Sequence, residues 1–361
     1  TTIMLQRRFL HTTSSRLNIT TALFPGQGNV TPEIFSLTHH QVDDVRNRHY
    51  TDLINHAQHI VPNVPIAKYF SRSSFPSKEI QSQELSNTSF VQPLVLLATY
   101  LNYTIYKNTT GWDIRNANYL LGHSLGELSA LVVQDVISLE DGLNIAYNRG
   151  LLMEKVLQSP ENRDKKWGMV ALMFRERDFL SILKVCKEDC KLNIANINGY
   201  EQIVVSGEKG ELMEKLNKLD IIQKRLTNAK VWRSKIRKKW LQTEIPAHNP
   251  IFNDIKDELR GYFKLKSDTL SVPIICNYNG LIVAKNAQKV VDNFINGTSS
   301  PVEFTKCLES IITSNENTIK ETEKFKFINV SDVTYGLTKR FFKNNDKCQI
   351  FDLIEEINSK E

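Results

Sequence analysis

The run Gly122-His123-Ser124-Leu125-Gly126 constrains this chain more than any other five residues. A serine with glycine two places away on either side fits a sharp turn between a strand and a helix. There a Cβ at either glycine would collide with backbone, and the serine Oγ is left exposed. The flanks supply both elements: residues 118–122 read as a short apolar strand and 125–133 as a helix. The start of that helix aims unpaired N–H groups at the turn, where they favour negative charge growing on an attacked acyl oxygen. Ser124 is therefore the candidate nucleophile of an acyl-transfer reaction, and Leu125 N–H the first candidate oxyanion donor.

A serine hydroxyl is a poor nucleophile until a base takes its proton, and neutral histidine is the side chain best poised near pH 7. Of eight histidines, His11 lies near the N-terminus, and His39, His40, His49, His56 and His59 occupy a polar helical region that predicts solvent-facing positions. His123 adjoins the nucleophile, but neighbours in a sharp turn point apart, which predicts a structural role. His248 is left, in Ile245-Pro246-Ala247-His248-Asn249-Pro250, where prolines fix the backbone on both sides. A first buried strand over 18–25 ends in Pro25-Gly26-Gln27-Gly28, and the backbone of Gln27 in that turn is the candidate second oxyanion donor.

Further along, helices are expected from Asn87 onward and over 139–157, the second carrying Arg149 near its middle. A polar, proline-containing stretch over 159–164 then reads as a linker into a smaller unit. Strands over 168–174, 192–196, 202–206 and 240–245, with helices over 177–186 and 209–219, suggest a split βαβ, ferredoxin-like module. Residues 224–239 hold eight basic side chains and no acidic one, as a basic helix or an extended loop.

The chain's 361 residues, 41% hydrophobic, suffice for one large domain with an insertion or for two domains. A net charge of +6 suits an acidic partner and falls short of a nucleic-acid signature. Cys186, Cys190, Cys276, Cys307 and Cys348 form no CxxC pair and are odd in number, so neither a disulfide framework nor a zinc site is expected. No run of about 18–20 apolar residues predicts a membrane span. Residues 1–17 carry Arg7, Arg8 and Arg16 among hydroxyl residues with no acid before Glu33, the composition of a mitochondrial transit peptide, and the expected location is the mitochondrial matrix.

These residues resemble the malonyl-CoA:acyl carrier protein transacylases, in particular a mitochondrial type, and the related acyltransferase domains of fatty-acid and polyketide synthases. The resemblance rests on Phe24-Pro25-Gly26-Gln27-Gly28, Gln92-Pro93, Gly122-His123-Ser124-Leu125-Gly126-Glu127 and Asn148-Arg149-Gly150-Leu151-Leu152-Met153. It continues through Gln202, His248, Val272-Pro273-Ile274-Ile275-Cys276-Asn277, Pro301-Val302-Glu303-Phe304 and Leu337-Thr338-Lys339-Arg340. It implies an α/β-hydrolase-like large domain with a parallel sheet, over 18–160 and 246–361, and an inserted ferredoxin-like α+β subdomain over 161–245.

The resemblance also implies roles: Ser124 as acyl acceptor, His248 as base, Gln27 and Leu125 as oxyanion donors, Arg149 and Gln92 as substrate-binding residues. A backbone carbonyl near Asn277 would orient the histidine. On charge alone, the basic run over 224–239, with Lys235, Arg237, Lys238 and Lys239, is expected together with Lys339 and Arg340 to attract the acidic surface of the carrier. No cofactor or metal is implied, and the family implies a monomer. Two departures stand out: Val330-Ser331-Asp332-Val333 replaces the family's Gly-Pro-Gly, and the basic run over 224–239 is longer than usual. Two rival readings share Ser124 or its surroundings, a serine esterase or thioesterase of α/β-hydrolase type and an inactive carrier-binding scaffold. The hydrolase requires a late acid and then a late histidine, and no histidine follows His248.

Overall fold

The computed structural model describes residues 18–28, 30–320 and 323–358, so the segment 1–17, expected to be a transit peptide, lies outside the described residues. In chain order the strands are β1 (Asn18–Phe24), β2 (Tyr119–Gly122), β3 (Trp167–Met173), β4 (Asn193–Gly199) and β5 (Gln202–Glu208). They continue with β6 (Arg237–Trp240), β7 (Ile274–Ile275), β8 (Ile282–Val283), β9 (Lys324–Asn329) and β10 (Cys348–Asp352). Two sheets result, ordered β10-β9-β1-β2-β7-β8 and β4-β5-β3-β6.

The first sheet is parallel apart from β8, which pairs antiparallel with β7. Its central strand β1 is buried on both sides, as parallel strands between helical layers are. Ala22 and Phe24 face one core and Leu23 the other, following the two-residue period of a strand. On the first face lie α1 (Thr88–Thr110), α2 (Gly126–Val133) and α3 (Leu139–Leu157). Ser138 caps α3 by accepting from Asp141 N. Helices α1 and α3 meet closely, because Gly150 lets the backbone of Ser89 approach to where a Cβ would sit 2.3 Å from its Cα.

In the second sheet β3, α4 (Phe179–Lys184) and β4 are followed by β5, α5 (Lys209–Asn228) and β6. Every neighbouring pair is antiparallel and the first strand lies inside the sheet, which is the ferredoxin-like arrangement. Val170, Leu172, Ile203 and Val205 face the helices, whereas Met169, Ala171, Ala195 and Val204 form the opposite face. Two backbone bonds, Val302 N to Ala195 O and Ile197 N to Val302 O, both 2.9 Å, tie β4 to the larger part of the molecule.

Three expectations change. The last strand of the module is Arg237–Trp240, not residues 240–245. The helix expected over 209–219 runs on to Asn228, so the basic run begins as helix, turns over 229–231, and is extended chain through its second half. In the extended half Trp232, Ser234 and Ile236 point inward while Arg233, Lys235 and Arg237 point outward. Charged outward residues on an edge strand protect it from pairing with other chains, and they also hide it from a hydrophobicity reading. Finally, His39 is buried and its Nε2 lies 2.8 Å from Tyr69 O, so it does not face solvent.

Candidate active site

The turn between β2 and α2 holds Ser124 at φ +53°, a left-handed conformation that side chains rarely adopt. Steric demand explains its neighbours. A Cβ on Gly122 would lie 2.0 Å from the Gly126 carbonyl carbon, and one on Gly126 would lie 2.3 Å from Phe24 O. Asn277, just beyond β7, braces the turn from behind. Its Oδ1 accepts from Ser124 N at 2.6 Å, and its Nδ2 donates to Gly122 O at 2.7 Å.

His248 Nε2 lies 2.8 Å from Ser124 Oγ, and its Nδ1 lies 2.7 Å from Gly297 O at the end of α6 (Ala287–Gly297). A carbonyl only accepts, so Nδ1 carries the proton and Nε2 is free to receive the seryl proton. The orienting carbonyl thus belongs to Gly297, and the expectation that it lies near Asn277 is corrected. The Asn277 carbonyl is turned to Glu303 N instead, at 2.8 Å. Burial first, and then the positive charge of Arg149, push His248 down to about 3.

Arg149 projects from α3 into the same space and is 3% exposed. Its Nη1 donates to Gln92 Oε1 at 2.8 Å, its Cζ stands 5.2 Å from the centre of the Phe294 ring, and its buried Nε has no partner among the described residues. Gln92 itself is fully buried and lines no part of the cleft, so its contact is with the guanidinium rather than with an entering group. A relay runs back from it: Gln92 Nε2 donates to Thr88 Oγ1 at 3.0 Å, and Thr88 Oγ1 donates to Gln27 Oε1 at 2.7 Å. Gln27, its side-chain oxygen so engaged, lines the cleft, while Leu125 stands at the start of α2, ahead of the helix's own hydrogen-bonded ladder.

The cleft has a volume of about 330 Å³ and runs between the turn and the outer face of the second sheet, with Met169, Ala171 and Met173 on one wall. Lys239 and Arg340 also line it, together with Arg149, and none of its lining residues is acidic. Arg340 and Lys339 lie on α8 (Asp332–Phe341), and Lys339 Nζ sits 5.1 Å from the centre of the Tyr335 ring. His123 is tied away from the Oγ, its Nε2 2.9 Å from Asn198 Oδ1, and Asn198 in turn donates to Gln202. The segment that departs from Gly-Pro-Gly contributes Val333 to the cleft, and Asp332 accepts from Thr31 Oγ1.

Two contributors had no role assigned from the sequence. Gly297 acts through a backbone oxygen, which any residue possesses. Glu127 follows the elbow and looks like an ordinary acidic residue in the first turn of a helix. In the fold it is 2% exposed, accepts from Asn277 N at 2.9 Å, and is pushed up to about 8, chiefly by burial.

A family model described as "Acyl transferase domain" matches residues 41–323. The chain is 30% identical over 260 residues to the mitochondrial malonyl CoA-acyl carrier protein transacylase of Saccharomyces cerevisiae, covering 66% of this chain and 67% of that one. It is 29% identical over 237 residues to the malonyl CoA-acyl carrier protein transacylase of Staphylococcus aureus, covering 63% and 68%. Among solved structures, the malonyl CoA-acyl carrier protein transacylase of Coxiella burnetii superposes with a TM-score of 0.71 at 21% identity, over 95% of this chain and 96% of that one. The family match takes in the elbow, Arg149, His248 and Gly297 in a single stretch, and the chain belongs to the acyl transferase domain family.

Proposed function

We propose that this protein moves a malonyl group from CoA to the phosphopantetheine thiol of an acyl carrier protein, through a malonyl ester on Ser124. The observation that carries the reading is one space shared by the Ser124–His248 pair, at 2.8 Å, and by a buried guanidinium whose Nε has no partner among the described residues. A carboxylate is the group that such a cation accepts best, through two parallel N–H bonds. The names of the relatives from yeast and Staphylococcus aureus support the same substrate pair.

In the first half-reaction Ser124 Oγ attacks the thioester carbonyl as His248 Nε2 takes its proton. Leu125 N–H and Gln27 N–H hold the oxyanion. The C–S bond then breaks, and CoA leaves as the thiol with the proton from His248. In the second half-reaction the carrier thiol gives its proton to His248 and attacks the acyl-serine. Ser124 Oγ leaves and takes that proton back. Neither half-reaction calls for a metal or a bound cofactor. The acceptor must reach the ester before water does, and the cleft narrows onto Ser124 between the two sheets.

Docking of the acidic carrier falls to Lys339, Arg340 and the outward residues of the basic run. Lys238 leaves that set, because it turns to the helix side of the sheet and pairs with Asp220. The setting proposed is fatty acid synthesis in the mitochondrial matrix, with the protein acting as a monomer. The composition of residues 1–17 and the mitochondrial yeast relative support the location. Intact-protein mass spectrometry after brief exposure to malonyl-CoA should find one malonyl adduct, on Ser124; its absence sinks the reading. A reporter carrying residues 1–20 should enter mitochondria.

A further inference from the structure

The acyl group proposed above brings a carboxylate into a space that already holds a carboxyl group. Behind the nucleophile, Ser124, Glu127, Arg149, His248, Asn277 and Phe294 line a small space of about 10 Å³. Arg149 is its charged group at neutral pH, whereas Glu127, raised to about 8 chiefly by burial, is mostly protonated there, and neither forms an ion pair among the described residues. Once Glu127 ionises, the two charges cancel across the cavity. Beside an ionised Glu127 an incoming acyl carboxylate would leave two negative charges sharing one buried positive charge, an arrangement that a folded protein avoids by binding a proton.

We infer that Glu127 sets acyl selectivity by holding a proton when a carboxylated acyl group settles against Arg149. This deepens the malonyl-transfer reading and rests on it. Protonated, Glu127 gains an O–H that can donate to the incoming carboxylate, while Oε1 goes on accepting from Asn277 N. The other groups facing Glu127 are unsuited to the task. Arg149 on α3 is held near 10 and stays charged, and His248 is held neutral. Cys276 beyond β7 and Cys307 on α7 (Phe304–Asn315) are both pushed up by burial, with the charge of Glu127 adding to the effect, and so remain thiols. Glu127, already raised to about 8 with no ligand beside it, is the group left to titrate in the neutral to mildly alkaline range.

The test compares loading of Ser124 from malonyl-CoA and from acetyl-CoA between pH 7 and pH 9, read by intact mass in single turnovers. In the native protein the malonyl-to-acetyl ratio should fall about tenfold over that range, as the fraction of protonated Glu127 falls. In Glu127→Gln, whose amide oxygen can still accept from Asn277 N, the ratio should stay within about twofold. A flat native ratio, or the same slope in the variant, overturns the inference. Should Glu127→Gln not fold, calorimetry of the native protein at pH 8.5 in two buffers of different ionisation enthalpy replaces it. Malonyl loading should then take up to about three-quarters of a proton more than acetyl loading, and equal uptake overturns the inference. A native protein that forms no malonyl-serine at any pH sinks the function reading itself, whereas an adduct with a flat ratio sinks only the role of Glu127.

Discussion

The two ends of the cleft are built on opposite principles. At the inner end Ser124, His248, Arg149, Glu127 and Asn277 sit on four separate stretches of chain, and each is fixed by at least one hydrogen bond of 2.6–2.9 Å. At the outer end Lys239 lines the cleft, and Arg233, Lys235 and Arg237 stand exposed along the same extended segment that leads to it; none of the four enters an ion pair among the described residues. Inner residues act through position, so altering them should change the rate of chemistry. Outer residues act through a field that spreads over several ångströms, so altering them should change encounter with a charged partner.

The sharpest way to break that contrast is at the nucleophile and its base. Ser124→Ala should abolish the malonyl adduct. His248→Ala should lower kcat by about 10²–10⁴ while leaving KM for malonyl-CoA nearly unchanged. Rapid-quench measurement of acyl-enzyme formation reads both. A defect confined to KM would mean that the inner end binds rather than reacts.

Asn277 offers a graded test. Asn277→Ala removes both braces on the elbow, leaving Ser124 N and Gly122 O without the bonds they make now. Each unpaired buried group costs about 1–3 kcal/mol. The variant should therefore lose stability and about 10–100-fold in kcat, because the strained turn can relax and carry Oγ away from His248. Asn277→Asp keeps an acceptor for Ser124 N and loses the donor to Gly122 O, so its rate should fall between the two. Thermal melting and single-turnover rates separate these outcomes.

The pH profile sharpens the same comparison. A base held near 3 stays neutral through pH 5, where a histidine at its ordinary 6.5 would be about 97% protonated. Acetyl loading by the native protein should therefore keep a level acid limb through pH 5. In Arg149→Gln the second cause of the depression is gone, and the limb should move toward neutrality as His248 binds a proton more readily. The same variant should shift preference from malonyl toward acetyl groups. An unmoved acid limb would show that burial alone sets the histidine.

How much of this was legible in the sequence follows the same division. The elbow was readable because Gly122 and Gly126 are the only residue type that fits where a Cβ would meet backbone at 2.0–2.3 Å, so a steric necessity left a letter behind. His248 could be reached by elimination among eight histidines. Gly297 could not, because its contribution is a carbonyl oxygen common to every residue. Gln92 was assigned to the substrate because a buried amide leaves no sequence sign of whether it meets a ligand or, as here, another side chain. Strand β6 was displaced because Arg237-Lys238-Lys239 carries none of the apolar alternation of its neighbours, and its pairing to β3 is decided by the opposing residues Met173, Leu172 and Ala171.

The smallest expected effect lies at the outer end, and it tests the comparison from the other side. The extended segment before β6 is stapled by Asp178, whose Oδ2 accepts from Arg233 N at 2.9 Å and from Ser234 N and Oγ, both at 2.7 Å. Outward side chains can thus be changed while the backbone that presents them stays anchored. Reversing charge at Arg233, Lys235 and Arg237 together should raise KM for an acidic carrier protein about three- to tenfold at low ionic strength, with kcat unchanged. Because the attraction is screened over about 8–10 Å at physiological salt, the defect should shrink as salt is added, and hydrolysis of a small neutral ester should not change at all. Lys238→Gln is the internal control: it lies on the same strand but faces α5 and Asp220, so it should leave KM for the carrier where it was. Equal effects from the outward triple and from Lys238 would mean that the segment matters for folding of the small sheet rather than for meeting a partner, and the contrast between the two ends of the cleft would fail.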